Sequence, residues 1–307
     1  MTDTNRRVAF AIGTGRCGTH FIAKIFEHEP AVAATHERYP MAETLERYRT
    51  WYELPIDGEG FVERMRRGID EDLASHRVSF EASAYLSLSV RTLHERFGAR
   101  FILMVRRPDR VVNSLWGKGW YEQPFIQGDP DLALGYQDGL RPHHTFSRIA
   151  PRGAEFERWR QMTRIGRLAW FWAALNRAVL AQFDGLPGTA WRVVRLEDID
   201  YDTYRDLARF IGIEPTLERA AYDAMVRSKP GKRPRSHRVG DWTARDRAEF
   251  EAQVGPLAEQ LGYSYDTTAL AAAEPPLPPT TVEPPTASRS LRQRARQLLG
   301  CLKRAVS

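Results

Sequence analysis

Two rhythms of apolar residues alternate along the chain. Short unbroken apolar runs, Val8–Ile12 and Phe101–Val105, predict buried strands. Residues 32–34, 77–82 and 191–196 predict three more. Between these runs, apolar residues recur at helical spacing. Phe21, Ile22, Ile25 and Phe26 follow the first strand in this way, and helices are predicted over 41–52, 60–74 and 86–97. Another opens at Arg106-Arg-Pro-Asp109, where Pro108 suits a first turn. A long aromatic helix is predicted over 156–184, then helices near 201–211, 216–228 and 243–262. Residues 117–155 read as long loops. Strands alternating with helices predict an α/β fold with three layers, a central parallel sheet covered by helices on both faces.

The pattern ends near residue 268. Residues 269–288 read as a proline-rich linker, with six prolines between 274 and 286. Residues 289–307 read as a basic amphipathic tail, with Leu291, Leu298 and Leu302 on one helical stripe. That tail suggests peripheral contact with an inner membrane surface. It carries six Arg and Lys and no acid, which equals the whole net charge of +6. The body is therefore balanced, which argues against a nucleic-acid partner. Two cysteines cannot form a disulfide framework, so a reducing, cytoplasmic setting is expected. No signal peptide or membrane-spanning run is read in the chain.

The first strand leads into a loop with Gly13, Gly15 and Gly18, then a helix. This order grips phosphate: glycines admit close approach, amides point at the anion, and a helix N-terminus favours negative charge. Thr19 and His20 stand where a Walker loop has Lys and Ser/Thr. A loop for ATP and magnesium is therefore not expected. Other polar clusters end predicted strands: His36-Glu37, and Arg106 to Ser114. A basic run, Lys229 to Trp242, is a further candidate. Together they suggest a ligand with two phosphates. Eight His and two Cys show no metal-ligand spacing, so no metal is expected.

These segments resemble the sulfotransferases that use 3′-phosphoadenosine 5′-phosphosulfate (PAPS). Arg16-Cys-Gly-Thr-His20 is similar to that family's 5′-phosphosulfate loop. Arg106-Arg-Pro-Asp-Arg-Val-Val-Asn-Ser114 keeps the spacing of its 3′-phosphate motif. Arg235-Ser-His-Arg-Val-Gly-Asp-Trp242 resembles the late segment that closes over the nucleotide. The resemblance spans about residue 8 to 242. It implies a P-loop-kinase-like sheet and PAPS as co-substrate. It also implies sulfuryl transfer to a hydroxyl acceptor, carbohydrate or lipid-like. Arginine at position 16, where cytosolic members have lysine, points to the carbohydrate and bacterial branches.

By this resemblance Gly15, Arg16, Cys17, Gly18, Thr19, His20, Arg106, Ser114, Arg235 and Arg238 bind the nucleotide. Arg16 stabilises the leaving phosphate oxygen. Glu37 is the first choice for general base, with His36 and then Glu81 as alternatives. Glu81 is otherwise expected to orient the acceptor or Arg16. Lys118 and Trp120, in the loop region, would face the acceptor. Leu196-Glu197-Asp198 departs from the family's Tyr-Glu-Asp, so adenine needs another packing partner, for which Trp242 is a candidate. Two other functions remain open: a small-molecule P-loop kinase, and a non-catalytic nucleotide-binding adaptor at a membrane.

Overall fold

The computed structural model describes residues 6–122, 146–227 and 237–274. The linker beyond 274, the amphipathic tail and Arg235 lie outside them. Five strands form one sheet: β1 (Arg7–Gly13), β2 (Val32–His36), β3 (Val78–Ala82), β4 (Arg100–Val105) and β5 (Trp191–Arg195). Their order is β2-β3-β1-β4-β5, and every neighbouring pair is parallel. The expected α/β fold is therefore present.

The parallel pairing explains the unbroken apolar runs. Side chains of a strand alternate between faces, and both faces here are covered. From β1, Val8, Phe10 and Ile12 enter one core, while Ala9 and Ala11 enter the other. From β4, Phe101, Leu103 and Val105 divide from Ile102 and Met104 in the same way. The first core is closed by α3 (Glu59–Ser75), α4 (Val90–Phe97), α5 (Pro108–Trp116), α7 (Arg164–Phe183) and α10 (Ala244–Gln260). The second is closed by α1 (Thr19–Phe26), α8 (Tyr201–Ile211) and α9 (Arg219–Arg227).

Three departures from the predicted elements have local causes. The helix expected over 86–97 is a 3-10 turn, Ala84–Leu88, followed by α4. Ser87 Oγ donates to the carbonyls of Gly13 (2.6 Å) and Ala84 (2.7 Å), which ties the turn to the end of β1. The helix expected over 156–184 is broken into α6 (Ala154–Gln161) and α7. Thr163 breaks it: its hydroxyl caps Gly166 N–H at 3.1 Å, and its own N–H donates to Glu249 at 2.7 Å. A short α11 (Thr267–Ala272) occupies residues read as the start of the linker. Among the described residues no helix is long and apolar enough to cross a membrane.

All strands run the same way, so the loops after β1, β2, β3, β4 and β5 share one edge. That edge is where ligands bind in open parallel sheets. Gly13 fixes the centre of it. A Cβ there would sit 2.5 Å from the Met104 carbonyl oxygen and 2.6 Å from Cys17 Sγ. Both neighbours are held by buried backbone, so neither can move cheaply. Gly13→Ala should therefore destabilise the protein by about 2–3 kcal/mol, read from the midpoint of urea unfolding. An unchanged midpoint would show that the loop relaxes without cost.

Candidate active site

The loop after β1 turns sharply. Gly15 and Gly18 have φ of +82° and +103°, and Arg16 between them has +59°. The last value costs energy for a residue with a Cβ, and such strain persists where surrounding contacts enforce it. Two contacts do so. Arg16 Nε donates to Ser114 Oγ at 2.8 Å, and Arg106 Nη1 donates to the Arg16 carbonyl at 2.9 Å. Arg106 is at the end of β4 and Ser114 is near the end of α5. The two expected phosphate motifs are thus joined into one surface. Arg106 is also anchored from behind, where Trp172 Nε1 donates to its carbonyl at 3.1 Å.

Two guanidiniums converge here, and among the described residues neither Arg16 nor Arg106 forms an ion pair with a carboxylate. Burial, against the upward pull of the Glu197 charge and with Arg16's charge adding to it, holds Arg106 below the usual arginine range. Such a pair favours an incoming anion. Gly18 begins α1 in the left-handed conformation, with no side chain capping its first turn. The loop's other residues divide by exposure. Cys17 and Thr19 are buried, whereas Arg16 and His20 are exposed. Burial pushes the Cys17 thiol up, which makes it a packing residue and not a nucleophile.

Residues 36–39 form the second half. Glu37 has φ of +51°. Its N–H donates to the Ala82 carbonyl at 3.3 Å, Arg38 N–H donates to Glu81 Oε1 at 2.8 Å, and Tyr39 N–H donates to Glu43 Oε1 at 2.8 Å. Glu43 is on α2 (Pro40–Tyr52), a helix turned inside out. Glu43, Thr44, Glu46 and Arg47 are buried, while Met41 and Leu45 are 44% and 45% exposed. Arg47 donates to the Ala84 carbonyl and lies over the Tyr85 ring at 5.6 Å. Burial pulls its guanidinium down to about 10, so it stays charged at neutral pH.

Glu37 is left beside these groups with a proton affinity suited to neutral pH. Burial, and then the Glu43 charge, push its carboxyl up to about 7, against opposing pulls from Arg47 and Arg16. His36 moves the other way. Burial and then the nearby His20 lower it to about 4, so its ring is neutral at pH 7. Its Nε2 lies 3.3 Å from Thr19 Oγ1, and its ring meets His20 edge-on. Of the two adjacent candidates, Glu37 has the proton affinity of a base near neutrality and His36 does not.

Other expected site residues are placed differently. Glu81 is 3% exposed and is occupied by Arg38 and Glu43, so it faces neither acceptor nor Arg16. Trp242 is 4% exposed and packs on Phe250, with Nε1 donating to Asn113 Oδ1 at 3.2 Å. It belongs to the core, and it docks the late segment onto α5. His237 stacks on Trp116 of the same helix at 4.3 Å, and Arg238 N–H donates to Asp241 Oδ2 at 2.9 Å. Leu196 packs on the glycine loop, since a Cβ on Gly18 would meet its Cδ1 at 2.5 Å. Trp120 packs edge-on against Phe171, and Lys118 is exposed on the turn after α5. Glu43 and its buried setting had no signal in the sequence beyond the helix predicted over 41–52.

No protein-family model matches the chain, and no curated protein sequence matches it. Among solved structures it is similar to the sulfotransferase domain from the curacin biosynthetic pathway. That likeness has 13% identity and a TM-score of 0.44, and covers 84% of this chain and 98% of the other. The sulfotransferase domain of the Synechococcus PCC 7002 olefin synthase shows 14% identity and a TM-score of 0.40. It covers 89% of this chain and 98% of its own. The chemistry below rests on the side chains and not on these likenesses.

The raised Glu37 carboxyl has a consequence for stability. A group that binds its proton more tightly when folded contributes stability that is fully present below the ordinary value of 4.5 and is lost as pH rises through about 7. Glu37→Gln should therefore flatten the fall in melting temperature between those pH values. An unchanged slope would show that Glu37 ionises in the ordinary carboxylate range.

Proposed function

We propose that this protein transfers a sulfuryl group from PAPS to a hydroxyl acceptor. The observation that carries the reading is the joining of the two phosphate motifs through Arg16, Ser114 and Arg106. One half fits a 5′-phosphosulfate: the glycine loop, the uncapped start of α1 and Arg16. The other fits a 3′-phosphate: the fork of Arg106 and the Ser114 hydroxyl. Glu37 supplies the base.

In this reading the acceptor hydroxyl oxygen attacks sulfur in line with the departing phosphate oxygen. The new S–O bond forms as the old one breaks, Glu37 takes the hydroxyl proton, and 3′-phosphoadenosine 5′-phosphate (PAP) leaves. Arg16 cannot readily give up a proton, so it acts by charge on the leaving oxygen. The sulfuryl group carries less negative charge than a phosphoryl group, and fixed cations and amides suit it. Positioning supplies the rest of the rate. The acceptor class, a carbohydrate or a lipid-like alcohol, follows from the family resemblance.

A small-molecule kinase is the second reading. It is disfavoured by Thr19 and His20, which occupy the positions of the phosphate-binding lysine and the metal-binding hydroxyl. Calorimetry separates the two. PAP should bind at least about tenfold more tightly than ADP or ATP. Equal or tighter ATP binding would favour the kinase. In Glu37→Gln, turnover should fall by about a hundredfold or more with PAP affinity unchanged. Wild-type kcat/KM should lose activity as pH falls below about 7, the value to which the Glu37 carboxyl is raised. A binding protein without turnover under any acceptor pool would leave the adaptor reading.

A further inference from the structure

The 37–39 turn stands on a buried acid pair. Glu43 and Glu81 are 0% and 3% exposed, and burial together with the Glu43 charge holds the Glu81 carboxyl well above the usual carboxylate range. Each acid then spends an oxygen on the turn. Glu81 Oε1 accepts from Arg38 N–H, and Glu43 Oε1 accepts from Tyr39 N–H, both at 2.8 Å. Glu43 also accepts from Ser83 Oγ, which anchors the pair to the end of β3.

Cations face the pair from two elements. Arg38 lies on the turn, with Nε 4.0 Å from Glu81 Oε2. That guanidinium is mostly engaged elsewhere, with Asp72 of α3, which also accepts from Ser79 Oγ at 2.6 Å. From α2, Arg47 adds a second positive charge near Glu43. Glu37 and the Tyr85 hydroxyl complete the set.

We propose that Glu43 and Glu81 are positioning residues that hold the turn carrying Glu37. They do not touch substrate. They fix the backbone at a residue with φ of +51°, a conformation that an ordinary glutamate leaves unless its neighbours enforce it. Three consecutive N–H groups, those of Glu37, Arg38 and Tyr39, are captured to this end. This also accounts for the inverted α2. A helix that served packing alone would bury Met41 and Leu45, not Glu43 and Arg47. The role assigned to Glu37 is that of the base in the transfer proposed above, but the clamp itself can be read without any turnover.

The test uses Glu81→Gln and Glu81→Met in the full chain. Glutamine keeps an acceptor for Arg38 N–H and brings an N–H donor to Glu43. Methionine keeps the bulk and loses both bonds. Hydrogen exchange at the Arg38 and Tyr39 amides should stay slow in Glu81→Gln and quicken by about tenfold or more in Glu81→Met. In parallel, kcat should fall by about tenfold or more in Glu81→Met alone, with KM for PAPS unchanged. Either of two results would overturn the proposal. One is a folded Glu81→Met with protected amides and full kcat. The other is a Glu81→Gln that loses as much as methionine. If Glu81→Met does not fold, Glu81→Gln decides alone: retained protection supports the clamp, and lost protection rejects it. A wild-type protein without turnover would count against the transfer, while the exchange data would still judge the clamp.

Discussion

The hydrogen bond from Arg16 to Ser114, with that from Arg106 to the Arg16 carbonyl, is the link on which the site depends. It joins the loop after β1 to the strand end and helix that follow β4. Those elements are neighbours only because the sheet order places β1 beside β4. The link holds Arg16 in a left-handed conformation and brings two cations together, neither of them in an ion pair with a carboxylate among the described residues. Such an arrangement is unfavourable in isolation and becomes favourable with an anion between the charges. Gly13 makes it possible, since any side chain there would push the loop off the Met104 carbonyl.

The opposite side of the site is built from acids, and burial sorts them. Glu37 is only part-buried and is raised to about 7. Glu81 lies deeper, held well above the usual carboxylate range by burial and by Glu43's charge, and serves the backbone. His36, one residue from Glu37, is pushed down by the same desolvation because its charged form is the cation. One physical effect, acting on an acid and on a base, moves the two candidates that the sequence leaves open in opposite directions.

What could be read from the sequence was what depends on local order. Val8–Ile12 and Phe101–Val105 are apolar throughout because both faces of the sheet are covered, so they announce themselves. Arg106 and Ser114 are legible as a pair because their separation is about two helical turns behind a strand. What could not be read depends on contacts distant in sequence. Glu81 stands at the end of a strand like a site residue, yet its partner is Glu43 on an inverted helix. Trp242 sits within the nucleotide-closing segment by resemblance, but its indole is committed to Asn113 and Phe250. Thr163 splits a continuous aromatic pattern because Glu249, far along the chain, accepts its N–H.

The central claim is that a 3′-phosphate is held by Arg106 and Ser114 while a 5′-group rests on the glycine loop. The most direct measurement is the ratio of calorimetric dissociation constants for 5′-AMP and PAP, in wild type and in Arg106→Ala. This ratio isolates the 3′-phosphate, since both ligands share everything else. In wild type, PAP should bind at least about tenfold more tightly, and in Arg106→Ala the ratio should fall towards one. A ratio that survives the substitution would place the 3′-phosphate elsewhere and contradict the account.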